Sequence, residues 1–199
     1  MPAARVGGGG QAAALLVVAA GVRRAVVERE PAVRVFPRGG DGPRAEADDR
    51  AARRLAAVAE DAGALGVRVL VETHDSHRGG RAVAGLLARV AHPAVGAVWD
   101  LMHTHLAGET PVETRAALAP YPGHTQVKDI AGPHDRTPLP LGAGVLPIAD
   151  CLRLLAADAW VCWEYEAPWH PAAAPLPPLL PAGAAFLAAA DRSADPDGL

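Results

Sequence analysis

Val67-Arg-Val-Leu-Val-Glu72, Val95-Gly-Ala-Val-Trp-Asp100, Thr125-Gln-Val-Lys-Asp129 and Trp160-Val-Cys-Trp-Glu164 are four short apolar runs, each ending at side chains able to bind a metal or carry a proton. The intervals from Glu72 to Asp100, then to Gln126, then to Glu164 are 28, 26 and 38 residues. Each holds one helix and two loops, the content of a strand–helix–strand unit. Strands buried in a parallel sheet read as near-continuous apolar runs, so a polar stop at the carboxyl end is the informative position. In barrels of parallel strands that end carries the chemistry. The repeated arrangement predicts a single metal-centred site.

Outward from these runs, strand and helix signals alternate along the chain. Residues 12–30 read as a helix ended by Pro31. Val33 to Phe36 reads as a short strand, followed by a Gly- and Pro-rich turn from Pro37 to Pro43. Residues 45–62 form an amphipathic pattern on Leu55 and Val58. Further helices are expected at 81–91, 112–119, 148–157 and 182–191, with Met102 to Pro111 as a long loop. Ala131 to Pro147 is rich in Pro and Gly and has the length of a functional lid. The alternation predicts an α/β fold with about five parallel strands. Residues 1–31 form a helical lead-in, 32–191 one domain, and 192–199 a frayed tail.

Composition narrows the partners. The chain has 199 residues, half of them apolar, and a formal charge of −3, enough for one domain with a real core. An acidic chain without a basic block argues against a nucleic-acid partner. Ala12 to Val22 is apolar and follows Arg5, but Arg23 and Arg24 lie on the wrong side for a signal peptide. It is also too short to span a bilayer, so a core helix and no membrane partner are expected. Cys151 and Cys162 show no CxxC spacing, which fits a reducing, cytoplasmic setting.

Glu72, Asp100, Gln126 and Glu164 offer up to four oxygen ligands from neighbouring strand ends. Such a set suits Mg²⁺ or Mn²⁺ better than Zn²⁺ or Co²⁺. His103, three residues after Asp100, is placed at the same mouth as a metal or substrate contact. His74 and His77 follow Glu72 and are expected to line the opening, one of them only solvated. Trp169 and His170 are placed as a cap over the pocket. Of 19 basic side chains only Lys128 is a lysine, and it stands at a strand end where a compact ammonium differs from a guanidinium. No nucleophile–His pair and no phosphate-binding GxxxxGK[ST] loop can be assembled. Gly142-Ala-Gly144 is too short to carry meaning alone.

These residues resemble the sugar phosphate isomerase/epimerase family, the xylose-isomerase-like (β/α)₈ barrels. The resemblance rests on Val33-Arg-Val-Phe-Pro37, Val71-Glu-Thr-His74, Trp99-Asp-Leu-Met-His103, Gln126-Val-Lys-Asp129, Leu141-Gly-Ala-Gly144 and Trp163-Glu-Tyr-Glu-Ala-Pro-Trp-His-Pro171. It implies Glu72 and Glu164 as metal-bound carboxylates that shuttle a proton beside a ketose carbonyl, with Asp100 as third ligand. Gln126 falls where many members carry a metal-binding His. His103 is implied as a substrate contact, with His74, Lys128 and His170 around the same substrate. The expected reaction is isomerisation or epimerisation of a small sugar or polyol ketone through an enediolate, with an inosose-dehydratase-like elimination as the alternative. Ala143 replaces a common Glu, and Ala167 a common Lys.

A full barrel of this type needs about 250 residues, and Val33 to Phe36 resembles the family's fourth strand. The expected fold is therefore a partial (β/α)₈ TIM barrel whose first three units are missing. A second expectation follows: an inactive barrel fragment that covers its open edges with another copy or a partner. Abasic-site DNA nucleases share the architecture, but they need several metals and a basic groove, and neither is legible here.

Overall fold

The computed structural model describes residues 31–37 and 43–191. The expected helix at 12–30 and the tail from Arg192 lie outside the described residues. Five strands form one parallel sheet: β1 (Ala32–Val35), β2 (Arg68–Glu72), β3 (Val95–Asp100), β4 (His124–Val127) and, last in the chain, β7 (Val161–Trp163), in the order β1-β2-β3-β4-β7. This is the sheet of a partial (β/α)₈ barrel. Helices α1 (Arg44–Ala64) and α2 (Gly80–Val90) fill the first two crossovers. The next crossover holds α3 (Leu101–Leu106) and α4 (Pro111–Leu118), the last holds α5 (Ile148–Leu152), and α6 (Leu180–Asp191) closes the domain.

The two faces of the sheet differ. The register pairs Val33 with Val69, Val71 with Ala97, Trp99 with Thr125, and Val127 with Trp163. Paired residues in a parallel sheet share a face, so these form an apolar side. Val69, Val71, Ala97, Trp99 and Val127 join Leu55, Val58, Val83, Leu86 and Leu87 of the helices in one core. The opposite parity pairs Arg34 with Leu70, Glu72 with Val98, and Asp100 with Gln126 and then Cys162. Lys128 and Glu164 continue the same parity just past β4 and β7. The polar stops are thus one face of the sheet at its carboxyl edge.

Two expected loops are structured. Asp100 caps α3, its Oδ1 accepting the backbone N–H of His103 at 3.1 Å, so half of the 102–111 segment is helical. The expected lid at 131–147 opens with an antiparallel ribbon, β5 (Asp129–Gly132) against β6 (Asp135–Leu139). Pro138 disguised it: proline is excluded from central strands, but in a two-stranded ribbon an open side tolerates its missing N–H. The helix expected at 148–157 ends at Leu152 and continues as turns.

The Leu141-to-Gly144 motif has a structural task. Asp129 is buried, and its carboxylate accepts the N–H groups of Gly142 and Gly144 (2.9 Å each), Ile130 (3.1 Å) and Leu146 (3.2 Å). Gly142 sits at φ +85°, a region costly for other residues. A Cβ on Gly144 would lie 2.2 Å from Asp129 Oδ1. The glycines therefore let the backbone wrap a buried carboxylate one residue from Lys128.

Candidate active site

Glu72, Asp100 and Glu164 each present a carboxylate oxygen within 4.8 Å of the others. Glu72 and Asp100 are buried and Glu164 half-buried. Backbone bonds fix the arrangement: Thr73 Oγ1 accepts the N–H of Asp100 at 2.9 Å, tying the ends of β2 and β3 together. Glu164 N–H donates to Val127 O at 3.0 Å, extending the β4–β7 ladder to the third carboxylate. Gln126 is buried beside Asp100, and its Oε1 has no hydrogen-bond partner among the described residues. Such orphaned acceptors are rare and mark a place for an ion or water.

Two cations face these acids. Lys128 is almost fully buried, with Nζ 3.0 Å from Asp100 Oδ2, in contact with Glu164 Oε2, and 3.6 Å from Glu166 Oε2. Arg34 places one guanidinium nitrogen 3.0 Å from both Glu72 Oε2 and Glu164 Oε1. Burial pushes Glu72 up to about 7 against the pull of Arg34. Burial likewise raises Asp100, and the Lys128 charge offsets only part of that. Burial would raise Glu164 too, but hydrogen bonds and charge from Lys128 and Arg34 outweigh it and hold this carboxyl below its ordinary range. The two glutamates thus differ in proton affinity because the cations lean towards Glu164. Desolvation opposes the Lys128 charge, yet its ring of acids raises the ammonium above its ordinary value.

A cavity of about 260 Å³ opens beside this cluster, with His74, His103, Glu166 and His170 in its wall. The three carboxylates are not part of its lining. It meets them through His103, bonded to Asp100, and Glu166, beside Lys128. His74 lies between Phe36 and His103, its ring tilted against the first and edge-on to the second, with centroids 4.8 and 4.4 Å away. Burial, with the charges of His74, Lys128 and Arg136 behind it, lowers His103 to about 3, so its imidazole is neutral at physiological pH.

The structure therefore brings Glu72, Asp100, Lys128 and Glu164 into one cluster, sets Gln126 beside Asp100 on the same face of the sheet, and places His74, His103 and His170 in the adjoining cavity wall. His77 does not join them. It is buried and turned towards α1, with Nε2 2.9 Å from Asp48 Oδ1 and Nδ1 2.9 Å from Ser76 Oγ. Neither solvated nor in the opening, it ties the loop after β2 to α1. Trp169 is 81% exposed and caps nothing. Arg34 and Glu166 were missed. A polar residue at the alternate position of Val33-Arg-Val was the available signal for Arg34, and the Glu-Tyr-Glu spacing the signal for Glu166.

Known proteins agree with this architecture. The xylose isomerase-like TIM barrel family model matches residues 12–190. No curated protein matches the chain. Among solved structures, the IolI protein with a bound zinc atom superposes with a TM-score of 0.78 at 13% identity, over 96% of this chain and 73% of that one. An L-ribulose 3-epimerase gives 0.77 at 15% identity, over 90% and 67%. The probable 3-DHS dehydratase AsbF of Bacillus anthracis gives 0.70 at 19% identity, over 84% and 68%. The chain spans about two thirds to three quarters of the length of these structures. With the family model covering nearly its whole length and the strand-end cluster built on the matching sheet, the chain belongs to the xylose isomerase-like TIM barrel family.

Proposed function

We propose that this protein is a metal-dependent enzyme that moves a proton at the carbon next to the carbonyl of a small sugar or polyol ketone, with Glu72 and Glu164 as the proton carriers. The observation that carries this is the meeting of three carboxylates within 4.8 Å of one another, behind the His103 and Glu166 wall of a small cavity.

The residues present fit a divalent cation. The carboxylates supply charge, and the unpartnered Gln126 Oε1 supplies a fourth acceptor that lacks only a donor or an ion. An all-oxygen set favours Mg²⁺ or Mn²⁺ over Co²⁺ or Zn²⁺. Glu72, Asp100, Gln126 and Glu164 would hold it. When bound, such an ion polarises a carbonyl and acidifies the adjacent C–H.

The chain's own groups do the rest. One glutamate removes the proton, and the other returns one to the opposite face, giving an epimer, or to the neighbouring carbon, giving an isomer. Loss of a hydroxyl from the same enediolate would give dehydration. Lys128 holds Glu164 ionised and offsets negative charge developing on a substrate oxygen. His103, neutral and at the cavity wall, offers a hydrogen bond to a substrate hydroxyl, and His74 and His170 line the same space. A small soluble substrate and two free thiols, Cys151 and Cys162, support a cytoplasmic setting. None of the described helices is long and apolar enough to cross a membrane. Because β1 and β7 are the edges of the described sheet, association with a second copy belongs to the same proposal.

The test is exchange of the substrate's α-proton in D₂O with Mn²⁺ present. Glu164→Gln is expected to abolish exchange and leave the fold intact by circular dichroism. Undiminished exchange in that variant refutes the assignment.

A further inference from the structure

Both carboxylate oxygens of Glu164 are engaged by cations of the chain itself. Oε1 accepts a hydrogen bond from Arg34 Nη1 at 3.0 Å, and Oε2 accepts one from Lys128 Nζ. The same Arg34 nitrogen stands 3.0 Å from Glu72 Oε2, an oxygen that accepts no hydrogen bond among the described residues. One guanidinium nitrogen thus bridges two of the three carboxylates that could hold an ion. An ion that takes Glu164 as a ligand must win an oxygen from one of these two resident cations.

The two are not equally able to yield. Lys128 is 3% exposed, with Asp100, Glu164 and Glu166 around its ammonium, and withdrawing it would strand a buried charge. The Arg34 side chain is 41% exposed and stands on β1, at an edge of the described sheet. Its one hydrogen bond among the described residues is that to Glu164. A long cationic side chain in this position can turn its head group into water while its stem stays on the protein.

We propose that Arg34 is an internal competitor of the divalent cation: its guanidinium bridges Glu72 and Glu164, and cation binding turns it out to solvent. The inference rests on the metal-dependent reading of the site and concerns how tightly the ion is held. Uptake of the ion then exchanges one positive charge for another at the same oxygens. An apparent affinity falls by the fraction of molecules whose binding groups are free, so Arg34 engaged in about nine molecules of ten weakens the ion about tenfold. The ion is thereby exchangeable, and the two glutamates keep a counter-charge whether it is bound or not.

Two measurements on the full chain test this. Free Mn²⁺, counted by its electron paramagnetic resonance signal, gives the affinity of wild type and of Arg34→Gln without reference to any substrate. The variant is expected to bind Mn²⁺ about tenfold more tightly, or better. In wild type, phenylglyoxal labelling of arginines is followed by mass spectrometry with and without saturating Mn²⁺. Labelling of Arg34 should rise severalfold on Mn²⁺ addition, while that of Arg89, paired with Asp49 on α1, stays constant. Equal or weaker binding by folded Arg34→Gln overturns the inference and leaves the metal-dependent reading standing. Unchanged Arg34 labelling under saturating Mn²⁺ does the same, and it decides on wild type alone should the variant fail to fold. Absence of Mn²⁺ binding in wild type and variant alike refutes the metal-dependent reading and the inference with it.

Discussion

Replacing Lys128 by Met tests whether the buried ammonium holds the site together. Nζ lies 3.0 Å from Asp100 Oδ2 and touches Glu164, and the lysine and Asp100 side chains are 3% and 0% exposed. At 3.0 Å and an effective dielectric constant of about 20, one such pair attracts by roughly 5–6 kcal/mol before desolvation is subtracted. Methionine keeps most of the volume and removes the charge, leaving Asp100 and Glu164 to repel each other. Deleting one partner of a buried pair typically costs about 3–5 kcal/mol. For a domain of this size that is a fall in Tm of about 6–20 °C. The assay is urea denaturation of wild type, Lys128→Met and Lys128→Met/Asp100→Asn at neutral pH with chelator present, so that no bound cation replaces the ammonium. The double variant should recover part of the loss, because it removes the stranded charge. A loss below about 1 kcal/mol, or strict additivity, would refute the view that Lys128 is the electrostatic keystone.

Three further outcomes are expected. Folded Glu72 keeps its proton up to about pH 7 while the unfolded chain loses it near 4.5; the native state then binds more protons in that window, so metal-free stability should fall by up to about 3 kcal/mol between these values and level off above. Glu72→Gln should flatten that slope, and a variant with the wild-type slope would place its origin elsewhere. Gln126→Leu removes the orphaned acceptor, so the metal-free protein should gain about 1 kcal/mol or hold steady while the Mn²⁺-induced thermal shift shrinks; an unchanged shift would strike Gln126 from the ligand set. Gly144→Ala drives a Cβ into Asp129 Oδ1 and Ile130 O and should cost about 1–3 kcal/mol in denaturant, whereas a neutral result would mean the glycine loop yields freely.

The strand cores were legible because each carries a private signal. Arg-Val-Leu-Val-Glu and Val-Gly-Ala-Val-Trp-Asp are apolar long enough to be buried and end at a charge, and the structure places them as β2 and β3. The β5–β6 ribbon was illegible because its prolines and short strands read as loop, and pairing with a neighbour is what makes them strands. His74 and His77 were indistinguishable along the chain. One turns into the cavity and the other into Asp48 because a single turn of 3₁₀ helix, Asp75–His77, separates them.

By itself the sequence determined the parallel α/β order, the carboxyl-end placement of Glu72, Asp100, Gln126 and Glu164, and the singularity of Lys128, since spacing, hydropathy and residue chemistry are one-dimensional properties. Only the tertiary structure decided which charges meet. Arg34, 38 residues before Glu72 and 130 before Glu164, reaches both because β1 lies beside β2 and the sheet curves its polar face inward. The same closure puts Lys128 against Asp100 and sets Glu72 and Glu164 at different proton affinities. Electrostatic energy depends on distance through space and on burial, and neither is written in the order of residues.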